Sequence, residues 1–294
     1  MRQAADVFHR PVLVNEVISY LAPRGGTIVD ACVGGAGHAR AILQIPGFSG
    51  RLLGIDADPE ALASARERLA GLANFELVYG NYADMAAIVL ERNLAPVTGI
   101  LMDLGVSYHQ LTCAGRGLSF DREGPLDMRF DQTARRPTAL ERLRRSSPEQ
   151  LTGWLREYGQ EPAAARIGRR VHAARHEIRT TKDLADIVRR SVRPDRARGT
   201  LARVFQALRI VVNSELDNVR AGLQAAIGLL APGGRLVVIS YHSLEDRLAK
   251  VALRNAEQAD RMLVLTKKPV RPSEDETSEN PQSRSARLRA GEKL

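Results

Sequence analysis

Three aspartates stand where apolar runs end: Asp30 closes TIVD, Asp56 closes RLLGID and Asp103 closes VTGILMD. Runs of this kind predict strands, and open parallel sheets bind ligands at the carboxyl ends of their strands, near the point where the strand order reverses. The first acid leads into Val33-Gly34-Gly35-Ala36-Gly37-His38. Glycines there let the backbone approach a ligand, and the helix that follows offers unpaired N–H groups. Asp56 comes 19 residues after Gly37, a spacing that suits a carboxylate accepting both ribose hydroxyls of a nucleoside cofactor. A dinucleotide turn needs a third small residue, but Arg40 occupies that place. S-adenosyl-L-methionine carries no phosphate and uses the same strand-end acid, so it is the preferred cofactor over a nicotinamide dinucleotide.

The acceptor of a methyl group follows by elimination. Methylating a pyrimidine carbon calls for a cysteine nucleophile, and neither Cys32 nor Cys113 has an evident activating base. A ribose hydroxyl favours a lysine-assisted site, yet no lysine precedes Lys182. An exocyclic amine needs only an oxygen acceptor for an N–H, so that its lone pair is freed to attack. Asp103, or the carbonyls just after it, can supply that oxygen.

The elements that must position these groups are legible in the periodicity. Strand signals at residues 27–32, 51–56, 75–79 and 97–103 alternate with helical ones, and Pro59 opens a helix at its first turn. This is the signature of an α/β fold with a parallel sheet and right-handed crossovers. Helical stretches then follow over 147–158, 162–176 and 181–192, with a long helix over 202–230 and a strand over 234–240. The chain therefore divides into 1–107, an inserted helical module over 108–210, and 211–294, whose polar tail from Pro269 is expected to be flexible.

Charge follows the same division. Residues 108–210 hold 21 Arg and one Lys against 12 acidic residues, a net of +10, whereas the whole 294-residue chain carries +9. A basic module beside a neutral one points to a polyanion such as nucleic acid; the alternative is a solvated helical surface in an arginine-rich protein. With 44% hydrophobic and 26% charged residues, global disorder and fibrous repeats are excluded. No apolar run is long enough to span a membrane, and the first residues lack an apolar signal core, so a cytoplasmic location is expected. Two cysteines 81 positions apart give no disulfide framework and no thiolate metal site.

Longer blocks carry a resemblance. They are His9-x-Pro11-Val12-Leu13 with Glu16, Gly34-Gly35-Ala36-Gly37-His38, Asp103-Leu104-Gly105-Val106-Ser107 with Gln110, and Arg116-Gly117-Leu118-Ser119-Phe120. Gly124 to Arg129, Phe205 to Ile210 with Asn213 to Leu216, Ser240 to Arg247, and Asn280 through Arg289 continue them. Across nearly the entire chain the sequence resembles the bacterial 16S rRNA (cytosine-N4)-methyltransferase family RsmH, also called MraW. The resemblance implies a class I Rossmann-like S-adenosyl-L-methionine-dependent methyltransferase fold interrupted by a helical substrate domain. It also implies methylation of the 4-amino group of a cytidine, position 1402, in the 16S rRNA of the small ribosomal subunit. By matching position, Gly35, Ala36, Gly37 and His38 would contact the cofactor in the turn, with Asp56 on the ribose, Tyr82 beside the adenine, and Asp103 and Gln110 completing the set.

This chain departs from the family pattern at a few positions. Ala36 replaces a glycine, which the loop tolerates unless that residue needs positive φ. Tyr108 stands where serine is usual, either stacking on the cytosine or filling space.

Several residues have both a binding and a structural reading. Tyr108, Arg116, Asp127, Arg129 and His242 are candidates for substrate binding. The alternatives are an Asp127–Arg129 ion pair that fixes its own loop, and a His242 that caps the helix after the fifth strand. Arg166, Arg169, Arg170, Arg175 and Arg179 are assigned to phosphate contact. His172 and His176 share a helix face without further ligands, so no metal is expected. Arg284, Arg287 and Arg289 either meet phosphate or pack back. The residues leave monomer and homodimer open, and leave as competing functions a nicotinamide-dependent oxidoreductase and a non-catalytic RNA-binding assembly factor.

Overall fold

The computed structural model describes residues 11–294; His9 of the first block lies outside the described residues. The chain forms two compact units: one comprises the segment up to Ser107 together with Leu216–Leu294, the other Tyr108–Glu215.

The first unit opens with helix α1 (Val14–Leu21) and strand β1 (Thr27–Asp30), then α2 (Gly37–Leu43), β2 (Arg51–Asp56), α3 (Pro59–Arg68), β3 (Phe75–Tyr79), α4 (Met85–Glu91) and β4 (Val97–Asp103). The second unit holds α5 (Tyr108–Thr112), α6 (Ala139–Arg145), α7 (Pro148–Glu157), α8 (Ala164–Ala173), α9 (Thr181–Arg189) and α10 (Pro194–Asn213). The chain then continues through α11 (Glu215–Leu229), β5 (Leu230–Ser240), α12 (Ser243–Gln258), β6 (Met262–Val264), α13 (Glu274–Glu279) and β7 (Arg287–Lys293).

The sheet runs β3-β2-β1-β4-β5-β7-β6, with β7 antiparallel to both of its neighbours and the other pairs parallel. The order reverses between β1 and β4, so Asp30 and Asp103 end the two strands at the switch point, and Asp56 ends the next strand out. Central strands read as continuous apolar runs because both faces are covered; Ile100, Leu101 and Met102 of β4 are fully buried. At the start of α3 the Asp58 side chain accepts the Glu60 N–H at 3.0 Å and Pro59 sits in the first turn, a combination that fixes where the helix begins.

In the helical unit, α6, α7 and α9 each start with a reciprocal capping box, Thr138 with Glu141, Ser147 with Gln150 and Thr180 with Asp183. Leu143, Leu151, Leu155, Ile167, Val171, Leu184, Val188, Val204 and Leu208 supply its buried face. Phe120 meets Phe205 edge to face with ring centres 5.6 Å apart. Among the described residues no helix is long and apolar enough to cross a membrane.

Three expectations are corrected. The single helix over 202–230 is two helices, because Ser214 takes a left-handed conformation with φ 53°. Just before the break, Asn213 is tied down: its Nδ2 donates to the Met128 carbonyl at 2.8 Å and its Oδ1 accepts the Phe130 N–H at 2.9 Å. The boundary expected at 210 falls inside α10, and the second unit runs on to Glu215, which Arg209 grips with two nitrogens at 2.8 and 2.9 Å.

The tail is not flexible. β7 pairs with β5 from Arg235↔Glu292 to Ser240↔Arg287. Averaged composition hid a period-two pattern in which Leu288 and Ala290 face the core while Arg289 reaches Asp246 at 2.6 Å. Leu288→Ala should therefore lower stability by about 2–5 kcal/mol in urea denaturation, whereas a flexible tail predicts no change.

Candidate active site

Each of the three strand-end carboxylates is satisfied differently. Asp56 accepts the Gly34 N–H on Oδ2 at 2.8 Å and the Asp58 N–H on Oδ1 at 2.9 Å. Burial nevertheless dominates and pushes its pKa up to about 6. Asp103 accepts the Tyr241 hydroxyl on Oδ1 at 3.0 Å, and its Oδ2 lies 3.4 Å from His38 Nδ1. Asp30 is only 1% exposed, and its Oδ1 has no hydrogen-bond donor among the described residues. Burial first, then the Asp103 charge, push Asp30 up to about 8.

The turn between β1 and α2 is built from strained backbone. Gly34 and Ala36 both have positive φ, 50° and 58°. The condition under which alanine is not free at position 36 is thus met, and its left-handed conformation costs about 1–2 kcal/mol. Gly37 is needed for packing, since a Cβ there would meet the Pro11 ring at 2.9 Å. Its lack of a side chain admits the segment entering α1. Gly35 and Ala36 are buried within the turn.

His38 is buried, and its Nε2 lies 2.8 Å from the Val12 carbonyl. A carbonyl only accepts, so Nε2 carries the hydrogen and Nδ1 presents a lone pair. Burial lowers the His38 pKa to about 4. The Nδ1 lone pair and Asp103 Oδ2 are therefore two acceptors side by side, an arrangement complementary to one shared N–H or proton. Burial and the Asp103 carboxylate raise the Tyr241 pKa well above the ordinary phenol value, which keeps its hydroxyl a donor.

Tyr82 opens a short 3-10 turn after β3, whose cap is Asn81 accepting the Ala83 N–H at 2.8 Å. Its ring lies against α11, where a Cβ on Gly222 would come within 2.7 Å of it. The α/β unit thus brings together Gly35, Ala36, Gly37, His38, Asp56 and Asp103, with Tyr82 at the end of the next strand.

Tyr108, Gln110, Arg116, Asp127 and Arg129 belong to the second unit. Gln110 is buried on α5, and Tyr108, at the start of that helix, is 40% exposed. Arg116 is 2% exposed and donates to the Phe130 carbonyl at 3.0 Å. Arg129 and Asp127 form a two-point ion pair with contacts of 2.7 and 2.9 Å, which holds the Asp127 carboxyl below its usual range. Both pieces stiffen the loop that precedes α6.

His242 caps α12, its Nδ1 accepting the Glu245 N–H at 3.4 Å while Glu245 returns the bond to the His242 N–H at 3.3 Å. In the helical unit, His172 packs its Nδ1 3.1 Å from the Ser146 carbonyl. Arg166, Arg169 and Arg170 are exposed on α8 with no ion-pair partner among the described residues. Arg170 donates to the Arg190 carbonyl, which sets the α8 arginines beside the basic end of α9. Arg287 and Arg289 pack back onto Asp246.

Asp30, expected only as a strand end, also borders this edge, as do Tyr241 on Asp103 and Glu276 through Leu13. Asp30 was marked by its position at the switch point; the other two carried no local signal.

A cationic ligand fits this donor-poor, carboxylate-rich edge. The orphaned Asp30 Oδ1 asks for an N–H or a positive charge, and S-adenosyl-L-methionine bears both an ammonium and a sulfonium. Raised above its unfolded value, the Asp30 pKa means that the native state binds the proton more tightly, so ionisation erodes stability as pH rises from about 4 towards 8. Asp30→Asn should therefore raise the melting temperature of the ligand-free protein, by a margin that widens across that window. The same variant should weaken cofactor binding in titration calorimetry. A melting difference that is flat with pH would deny Asp30 this role.

Similarity to known proteins extends over nearly the whole chain. The model of the MraW methylase family matches residues 6–294. Three curated relatives are each called ribosomal RNA small subunit methyltransferase H. The one from Thermomicrobium roseum is 46% identical, covering 97% of this chain and 94% of its own. That from Deinococcus deserti is 46% identical over 99% and 95%, and that from Geobacter sulfurreducens 44% over 97% and 99%.

Proposed function

The chain belongs to the MraW methylase family, and from that premise we propose that it is an S-adenosyl-L-methionine-dependent methyltransferase acting on the 4-amino group of a cytidine, position 1402, in small-subunit 16S rRNA. The observation that carries this reading is Asp103, a strand-end carboxylate at the switch point with Tyr241 on one oxygen and His38 beside the other.

In this reading the turn at Gly35, Ala36 and Gly37 holds the cofactor with Asp56 on its ribose and Tyr82 beside its adenine, and Asp30 takes the ammonium. When bound, S-adenosyl-L-methionine supplies a methyl group made electrophilic by its cationic sulfur. The chain's own contribution is to orient the acceptor. A cytosine amine is conjugated with its ring and a poor nucleophile. Asp103 Oδ2 accepts one of its N–H bonds, which draws the nitrogen lone pair out of conjugation and aligns it for in-line attack. The nitrogen then sheds one proton to water, so no buried general base is required. A neutral His38 suits this role, since a fixed positive charge beside Asp103 would compete with the amine for the carboxylate. Asp103→Ala should fold normally and, at saturating cofactor, lose at least about 100-fold in turnover, measured by transfer of labelled methyl to small-subunit RNA; near-normal turnover would remove Asp103 from the mechanism.

The helical unit supplies the RNA contact. Arg166, Arg169 and Arg170 on α8, with Arg190 at the end of α9, are positioned to meet phosphates rather than to form internal ion pairs. Neutralising the three α8 arginines should weaken RNA binding and reduce the slope of log affinity against log salt by about two to three. An unchanged slope would place the phosphate contacts on another surface.

A further inference from the structure

We propose that Tyr241 and Glu276 are positioning residues for the Asp103 edge, Tyr241 by a hydrogen bond to the carboxylate and Glu276 by fixing the peptide and the ring that border it. The inference rests on the role given to Asp103 above and extends it to two residues that never touch the substrate.

At one end, the Tyr241 hydroxyl donates to Asp103 Oδ1 at 3.0 Å. The tyrosine is itself held. Its N–H donates to Glu245 Oε2 at 2.9 Å, inside the cap of α12. Its ring covers the turn after β4, where a Cβ on Gly105, at φ +106°, would stand 3.1 Å from it. A carboxylate at a strand end rotates about its last bond unless a donor engages one oxygen. Tyr241 engages Oδ1, so Oδ2 keeps a fixed direction for an incoming N–H.

The other end begins on α13. Glu276 Oε1 accepts the Leu13 N–H at 2.7 Å, joining residues 263 positions apart. Leu13 is the left-handed residue (φ 57°) at the start of α1. The adjacent carbonyl, that of Val12, meets His38 Nε2 at 2.8 Å. His38 Nδ1 then lies 3.4 Å from Asp103 Oδ2. Glu276 thus fixes the peptide that fixes the ring that borders the working oxygen. The negative charge of Glu276 also acts on both His38 and Tyr241, which places it electrostatically within the same network.

Positioning residues should alter the chemical step while leaving ligand affinity in place. Tyr241→Phe keeps the ring on Gly105 and removes only the hydroxyl. With small subunits lacking the modification and labelled cofactor, its kcat should fall by about tenfold or more, with KM for cofactor and RNA within about twofold of the parent. Glu276→Ala should lower kcat by about threefold to tenfold, and Glu276→Gln should restore most of it, because an amide oxygen still accepts the Leu13 N–H.

A Tyr241→Phe variant with parental kcat overturns the inference, as does a loss carried entirely in KM. Should Tyr241→Phe not fold, the Glu276 pair decides: equal kcat in Glu276→Ala, Glu276→Gln and the parent overturns it. Full turnover by Asp103→Ala would instead strike the role given to Asp103 in the proposed mechanism, whereas an inactive Asp103→Ala beside an unaffected Tyr241→Phe strikes this inference alone.

Discussion

Three carboxylates end adjacent parallel strands, and a parallel sheet leaves them no choice but to converge on one edge. Burial disfavours the ionised forms of Asp30 and Asp56, and the Asp103 and Asp56 charges raise Asp30 further. Backbone N–H groups relieve Asp56, and a phenol relieves Asp103. Asp30 is left with an oxygen that nothing described donates to. An edge of this kind stabilises the folded state poorly by itself and is completed by a positively charged ligand, a common trade between stability and function. The local strain at Ala36 belongs to the same pattern, since a left-handed alanine is kept where the turn must pass between β1 and α2.

The rest of the α/β unit keeps that edge in place. β4 and β1 lie at the centre of the sheet with both faces covered. β7 returns antiparallel beside β5, and so brings the last stretch of the chain onto the frame that carries Asp103. Glu276, a little before that strand, then reaches Leu13 near the start. The two ends of the described chain therefore support one site, which is why the polar composition of the tail is a poor guide to its role.

Charge is divided by unit, and within the helical unit it is divided again. Some arginines are internal fasteners: Arg129 on Asp127, Arg203 on Glu161 and Arg209 on Glu215. Arg116, almost wholly buried on the Phe130 carbonyl, belongs with them. Others, on α8, are exposed without ion-pair partners among the described residues. A count of arginines treats both kinds alike and overstates the cations available to a polyanion, whereas the net charge already cancels those paired with acids. In the proposed function the exposed set on α8 carries the long-range attraction to phosphate.

Local pattern was enough for much of this. Apolar runs marked the first four strands, three of them closed by Asp, Pro59 marked a helix start, and the glycine-rich turn with Asp56 nineteen residues on marked the nucleoside edge; each is a short-range feature written in consecutive residues. The insert and its excess of charge were legible for the same reason. What consecutive residues cannot express is which distant groups share a hydrogen bond. His242, expected as a site residue with a helix cap as the alternative, forms a capping box with Glu245. The break at Ser214 depended on Asn213 reaching back to residues 128 and 130. Tyr241 meets Asp103 across 138 positions and Glu276 meets Leu13 across 263. Such pairings follow from the order in which strands stack, not from spacing along the chain, and only the folded sheet decides them.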